Sequence, residues 1–538
     1  MSRTRLFSQI RRAIHQAGFI ERSGWSHSQF EDISQTRRDF LKVSGMLALP
    51  VAVGLPSNFQ LSDFLTESRN PEDSVLVLGG GAAGLAAAYT LKKAGVAVRV
   101  LEAGSRVGGR IFTKYNFNSD KQFAELGAEY VDSGHEALIG LAREVGLEIQ
   151  DMSEESRHLE MEIFYFGGVA RYHHDLVAAA APFAAAVARA KAEIGPQFNY
   201  RNPTPKGIEW DQVTLAEFLH SLRGQVEDWF LDAIEIGYVL EMGREADEQS
   251  VLNLFWQVDD SIHEDDFELF GPSDETLRIK GGNARLPERL AQVLSHKSDA
   301  LVMNARVLSL RMSGSQIVVT ADCDGKTVEY KAKQVICALP LSALKQVEGL
   351  QQIGFSPAKL DCIQNIRYGQ NSKIMMDFSS RAWRQKSDGV KASAGWLMGD
   401  FASQNFWETS KAQAGPRGIL TNFLGGKAGM NAKPDQIQST ILPDLAKVFP
   451  SLPSHYQNVG VAMNWNYMPL AQGSYICVSV GQYSRFFGAQ SEPELNGQVL
   501  FAGEHTSVES MGYMNGAYET GIKAAQTIIQ SRQKELTA

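Results

Sequence analysis

The chain has 538 residues, 44% hydrophobic and 21% charged, a globular balance spread over more length than one core organises, so two or more domains are expected. A formal net charge of −9, with no Lys/Arg stripe interleaved with aromatics, excludes a nucleic-acid backbone as the main partner. Four dispersed cysteines without a CxxC pair, and eleven histidines without ligand spacing, imply neither a disulfide framework nor a metal site.

In chain order, the first signal is Thr36-Arg37-Arg38-Asp39-Phe40-Leu41-Lys42, followed by an apolar run at residues 43–55 that carries no carboxylate. The run is too short to span a bilayer, which takes about 20 apolar residues. Paired arginines, Phe-Leu-Lys and a short apolar stretch resemble a twin-arginine export signal. Residues 1–70 are therefore expected to be signal and linker, the partner the twin-arginine export machinery, and the destination periplasmic or secreted, with mature structure from about Pro71.

Residues 74–78 (Ser-Val-Leu-Val-Leu) have the continuous apolar character of a buried parallel strand. They lead into Gly79-Gly80-Gly81-Ala82-Ala83-Gly84, which satisfies GxGxxG. An Ala- and Leu-rich helix is predicted over 85–93, and a second strand over 96–101 ends at Glu102. The spacing assigns Gly79 to the tight turn, Gly81 to the close approach of backbone to a pyrophosphate, and Gly84 to helix–strand packing. The helix N-terminus offers unpaired N–H groups and a positive dipole end to phosphate, and Glu102 stands where a carboxylate accepts ribose hydroxyls.

Further on, Arg106-Val107-Gly108-Gly109-Arg110 and Ala124-Glu125-Leu126-Gly127-Ala128-Glu129-Tyr130 follow the acid. Near the C-terminus, residues 499–504 (Val-Leu-Phe-Ala-Gly-Glu) read as a short buried strand. Gly512-Tyr513-Met514-Asn515-Gly516-Ala517 then opens a helix from residue 518 towards 529. Together these segments resemble the flavin-containing amine oxidase superfamily, which includes monoamine, polyamine and L-amino-acid oxidases, from residue 74 to 529. The resemblance implies an α/β fold: a Rossmann-like FAD-binding domain of the two-dinucleotide-binding-motif type, with a mixed α+β substrate domain inserted. The implied FAD domain is discontinuous, at 71–130, 279–373 and 496–530. A largely helical insertion is expected at 131–278 and a sheet-containing one at 374–495.

The same resemblance implies site residues. Gly79, Gly81, Ala83, Gly84, Glu102, Arg110, Gly127, Ala128, Val307, Gly503, Glu504 and Met514 would hold FAD. Lys373, in Ser372-Lys373-Ile374, would hold a water against the flavin, and Tyr475 and Tyr513 would be paired aromatic rings steering the amine. In Gly473-Ser474-Tyr475, Ser474 stands where monoamine oxidases carry a flavin-bonded cysteine, so non-covalent FAD is expected. The implied reaction is hydride transfer from an amine to flavin N5. It gives an imine, then carbonyl and ammonia, while dioxygen takes the electrons as hydrogen peroxide.

The substrate is a small-molecule amine or amino acid. Glu129-Tyr130-Val131-Asp132 replaces the arginine that follows this segment in venom-type L-amino-acid oxidases, which tilts the reading to amines, including cationic ones. Glu129 and Tyr130 are assigned to the substrate side, with Asp132, Glu235 and Glu241 as further acids for a second ammonium. Oxidation of basic L-amino acids, or an amine dehydrogenase with another acceptor, are the alternatives. A homodimer is compatible with the resemblance.

Between these segments, an Ala-rich helix is predicted over 176–194, a capping box at Thr214 and Glu217, and a hairpin at Asp324-Gly325 between residues 317–319 and Val328. The tail after Ser531 is expected to fray.

Overall fold

The computed structural model describes residues 74–195, 198–257, 274–296, 299–386 and 389–537. The twin-arginine segment lies outside them.

Five parallel strands make the central sheet, in the order Val499–Phe501, Val335–Cys337, Val75–Leu78, Val98–Leu101 and Leu301–Val302. Val75–Leu78 is buried along its whole length because both faces are covered, Val75 and Val77 by the helices that follow and Leu76 and Leu78 by apolar residues of an antiparallel sheet, which is why its sequence shows an apolar run instead of alternation. The helix Ala82–Lys93 follows, packed against the C-terminal helix Met514–Thr537. The approach is so close that a Cβ on Gly521 would stand 2.2 Å from the Ala83 carbonyl oxygen. The C-terminal helix is longer than expected and does not fray at Ser531. Arg532 donates through Nε to Gln334 Oε1 at 2.9 Å, which ties the last turns to the strand region 200 residues upstream.

An antiparallel three-stranded sheet, Ala305–Ser313, Gln316–Cys323 and Lys326–Ala332, hangs beside the parallel sheet. Cys323 faces Lys326 across a two-residue turn in which Asp324 (φ 51°) and Gly325 (φ 80°) are both left-handed, the geometry that matches strand twist in a tight hairpin.

The second large sheet has seven strands in the order Tyr456–Asn464, Ser372–Phe378, Gly418–Leu424, Asn405–Glu408, Leu397–Gly399, Ile163–Phe166 and Val169–Arg171. Five come from the second insertion; the hairpin at 163–171 comes from the first, so the two insertions share one sheet. The boundary expected at residue 373 falls inside the strand Ser372–Phe378. One face buries Ile374, Phe406, Leu420 and Leu424 in a common apolar cluster. On the other face, Lys373 stands opposite Phe423, and Phe423 opposite Asn405. Trp407 is two residues further along its strand, so Lys373 and Trp407 project from the same side.

Helices His173–Ile194, Pro205–Asp211, Leu215–Ser221, Asp228–Met242 and Leu252–Gln257 build the helical insertion. Phe183, Phe218, Phe230 and Phe255 meet edge to face in its core at centroid separations of 5.1–6.2 Å. The capping box forms as expected: Glu217 N donates to Thr214 Oγ1 at 3.1 Å and Thr214 N to Glu217 Oε2 at 2.8 Å.

Candidate active site

A cavity of about 920 Å3 runs along the C-terminal edge of the parallel sheet. Ten of the expected cofactor and cage positions line it: Gly79, Gly81, Ala83, Glu102, Arg110, Val307, Gly503, Glu504, Tyr513 and Met514. They come from both ends of the chain, and each end contributes a helix N-terminus, at Ala82 and at Met514. Two helix starts aimed into one cavity give a strongly anion-attracting wall.

The glycines divide the work. Gly79 has φ 102°, open to glycine but costly for other residues. At Gly84 a Cβ would sit 1.9 Å from the Gly79 carbonyl oxygen, so the helix can approach the strand only without one. At Gly81 a Cβ would meet no protein atom within 4 Å, so bare backbone faces the cavity. Gly127 and Ala128 stand outside the cavity wall. A Cβ on Gly127 would lie 1.9 Å from the Arg110 carbonyl oxygen, and Ala128 N donates to that oxygen at 3.2 Å, so this segment braces the loop that carries Arg110.

Glu102 accepts from Gly80 N and Gly104 N, both at 2.7 Å. Burial raises its carboxyl above the usual range, while those two N–H bonds and nearby Arg106 pull the other way. Arg110 pairs with Glu504 at 2.8 Å and also donates to the Ser474 carbonyl oxygen at 2.5 Å, joining three distant segments. The other oxygen of Glu504, Oε2, is buried with no hydrogen-bond partner among the described residues. A bare backbone cradle, a carboxylate at the second strand's end, a buried acceptor and two helix N-termini suit an extended dinucleotide with its pyrophosphate and ribose hydroxyls.

Lys373 is 3% exposed and its ammonium is fully engaged. It donates to Gly127 O at 2.8 Å, Glu125 O at 3.2 Å and Glu129 Oε2 at 2.9 Å, and stands 4.9 Å from the centroid of the Trp407 ring. Glu129 is wholly buried, and the same oxygen also accepts from Trp407 Nε1 at 2.9 Å. Its carboxylate is therefore turned to Lys373 and Trp407, differing from the expectation of an acid facing substrate. The reason is physical: a buried ammonium needs a countercharge, and Glu129 is the carboxylate that reaches it. Tyr130 packs on Trp407 with centroids 5.8 Å apart.

Tyr513 lines the cavity and meets His135 edge to face at 5.0 Å. Tyr475 stands behind the wall, in one apolar cluster with Leu126 and the cavity-lining Trp465, and its hydroxyl donates to Leu240 O at 3.0 Å. Ser474 turns its hydroxyl to Asn371 Oδ1 at 2.6 Å. Of the further acids, Asp132 pairs with His135 at 3.1 Å, Glu241 is buried, and Glu235 is half-buried with its carboxyl raised by desolvation.

Sequence reasoning missed Asn283, Trp407 and His135. Asn283 donates from Nδ2 to Ala128 O and Glu129 O, and its backbone N–H donates to Glu125 Oε1 at 2.8 Å. It thereby fixes the path of the 125–130 segment. Gly281-Gly282 just before it, both with positive φ, was the available signal for a special turn there.

A model of the flavin containing amine oxidoreductase family matches residues 82–529. Flavin-containing amine oxidase B of Cavia porcellus is 25% identical over 503 residues, covering 86% of this chain and 87% of that protein. The human counterpart is also 25% identical, over 500 residues and 86% of each chain. Lysine-specific histone demethylase 1 homolog 2 of Oryza sativa subsp. japonica is 25% identical, covering 86% of this chain and 58% of its own length. Among solved structures, putrescine oxidase bound to putrescine superposes with TM-score 0.69 at 21% identity, over 85% of this chain and 99% of that one. Cyclohexylamine oxidase from Brevibacterium oxydans superposes with TM-score 0.72 at 20% identity, over 86% and 100%.

Proposed function

Because the chain belongs to the flavin-containing amine oxidoreductase family, an FAD enzyme oxidising amines, we propose that it is an oxidase of amines lacking an α-carboxylate. The products are an imine, hydrolysed to carbonyl and ammonia, and hydrogen peroxide from dioxygen. Bound FAD supplies the two-electron oxidation of the amine carbon.

The observation that carries this reading is the convergence of Glu102, the Arg110–Glu504 pair and Tyr513 on one cavity, from segments about 400 residues apart. Glu102 would hold the adenosine ribose, and the N-termini at Ala82 and Met514 would hold the pyrophosphate and the flavin end. Ser474 offers a hydroxyl already donated to Asn371, which supports non-covalent FAD. Tyr513, with Tyr475 anchored beside Trp465 behind the cavity wall, would present aromatic surface to a neutral amine and exclude water.

The nearby guanidinium groups support amines over amino acids. Arg110 is held by Glu504. Arg278, wholly buried, donates to Thr409 O at 2.9 Å and Lys411 O at 2.6 Å, and Arg106 to Gly109 O at 2.6 Å. These bonds engage each of the three with the protein itself, which supports a substrate without a carboxylate. Export through the twin-arginine route belongs to the same proposal, on the strength of Arg37-Arg38 and the apolar run that follows.

A peroxide-coupled assay of the flavin-loaded protein, with monoamines, diamines, polyamines and L-amino acids, tests the reading. Peroxide from amines without a carboxylate is expected. Turnover of amino acids alone would replace it with an amino-acid oxidase, and flavin bleaching without peroxide with a dehydrogenase.

A further inference from the structure

Away from the dinucleotide cavity, a second cleft of about 610 Å3 opens between the helical insertion and residues 479–485. Three arginines, Arg244, Arg367 and Arg485, line it against a single carboxylate, Glu248. Their existing partners leave donors over. Arg485 is gripped from behind by Asp361, Nε to Oδ2 and Nη2 to Oδ1, both at 2.6 Å. Asn365 Nδ2 also donates to Asp361 Oδ1 at 2.6 Å, so that acid is saturated. Arg244 donates through Nη2 to Glu248 at 2.5 Å, one of the five N–H donors of its guanidinium group. Arg367 is exposed and has no carboxylate partner among the described residues.

Three guanidinium groups against two carboxylates, with N–H donors left over and two of the three anchored by Asp361 and Glu248, form a site complementary to an oxyanion. Planar guanidinium forks bind carboxylate and phosphate oxygens with short, charge-assisted hydrogen bonds. An amine would meet like charge there, and an apolar molecule would leave the donors unsatisfied. The volume is larger than one bare ion needs and accommodates an anionic group with a small body attached.

We propose that this cleft binds a small oxyanion, a phosphate monoester or a dicarboxylate, through Arg244, Arg367 and Arg485. The site adjoins the catalytic region through the backbone. Arg244 follows Gly243 (φ 68°), the left-handed cap of the helix Asp228–Met242. Gly243 O accepts from Gln370 N at 2.6 Å, and Leu240 O of the same helix end accepts the hydroxyl of Tyr475. An anion clamped at Arg244 therefore stiffens the helix terminus that holds Tyr475.

Isothermal titration of the FAD-loaded full chain with inorganic phosphate, and separately with succinate, at constant ionic strength tests the site. One saturable site is expected for at least one of the two probes; which one binds distinguishes the phosphate source from the carboxylate source. Arg367→Ala should weaken it roughly tenfold and Arg367→Glu more strongly, since each bidentate charge-assisted contact is worth about that much. Arg367 is exposed, so both variants should keep the wild-type flavin spectrum and thermal midpoint. Absence of saturable binding for both probes overturns the proposal. So does binding that the Arg367 variants leave unchanged, or an effect of Arg367→Glu confined to oligomeric state.

Discussion

Lys373 Nζ lies 2.9 Å from Glu129 Oε2, and both side chains are buried, the first 3% exposed and the second 0%. The pair joins the seven-stranded sheet to the segment that follows the dinucleotide motif, and Trp407 donates to the same carboxylate oxygen. Removing one member of such a pair strands a charge, which costs about 3–5 kcal/mol, whereas replacing both with apolar residues of similar size costs far less. Lys373→Met and Glu129→Leu should each destabilise the holoenzyme by about that amount in urea unfolding, and the double variant should recover most of the loss. Simple additivity of the two losses would show that the pair is not coupled.

Gly81 and Gly84, three positions apart, should respond oppositely to one methyl group. Gly84→Ala places a Cβ 1.9 Å from the Gly79 carbonyl oxygen, and backbone cannot yield there as a side chain could. Overpacking of this kind costs about 1–3 kcal/mol or more, so Gly84→Ala should lower the thermal midpoint and the yield of folded protein. Gly81→Ala meets no protein atom and has an ordinary φ of −77°, so its fold should persist. Its methyl group points at the cavity, and its FAD affinity should fall roughly tenfold or more. Flavin fluorescence titration separates the two: a Gly81→Ala protein that binds FAD like wild type would contradict the cradle geometry.

The position of Ser474 predicts how flavin leaves the protein. A serine hydroxyl forms no thioether, and this one already donates to Asn371. Acid or heat denaturation should therefore release all the flavin into the supernatant, read by absorbance after the protein is pelleted. Yellow colour remaining with the polypeptide would place a covalent link elsewhere.

What could be read beforehand was chemistry confined to a few consecutive residues. Gly79 to Gly84 state a turn, a helix start and a packing distance within six positions, and Asp324-Gly325 states a hairpin within two. The capping box at Thr214 and Glu217 is equally local. Hidden from the sequence were partners that only folding brings together. Glu129 looked available to substrate because its partner lies 244 positions away, at Lys373. Asn283 shows no local sign that it will hold the carbonyls of Ala128 and Glu129. The tail after Ser531 looked unsupported because Gln334, which holds Arg532, is almost 200 residues earlier. A burial pattern also blurred one boundary: Ser372–Phe378 is buried throughout and belongs whole to the seven-stranded sheet, so the passage between sheets lies before Ser372 and not at Lys373.

Two buried groups beside the cavity give the stability–pH curve opposing slopes. Burial lowers the imidazole of His505 from 6.5 to about 4, and neither ring nitrogen has a hydrogen-bond partner among the described residues. Below pH 6.5 the unfolded chain takes up a proton that the folded one refuses, so this group removes stability as the pH falls towards 4. Burial raises Glu125 from 4.5 to about 7, against the opposing pull of the N–H of Asn283 and the hydroxyl of Thr113. Its stability contribution is complete below pH 4.5 and is lost as the pH rises to 7. Each slope is about 1.4 kcal/mol per pH unit, so between 4.5 and 6.5 the two offset one another. His505→Leu should unmask the Glu125 slope: urea unfolding in excess FAD should show the variant's stability declining from pH 4.5 to 7, where wild type stays level between 4.5 and 6.5. Glu125→Gln keeps acceptor and donor capacity for Asn283 and Thr113 and should leave the opposite decline, towards low pH. Parallel curves for wild type and both variants would mean that neither group titrates in the window that its burial dictates.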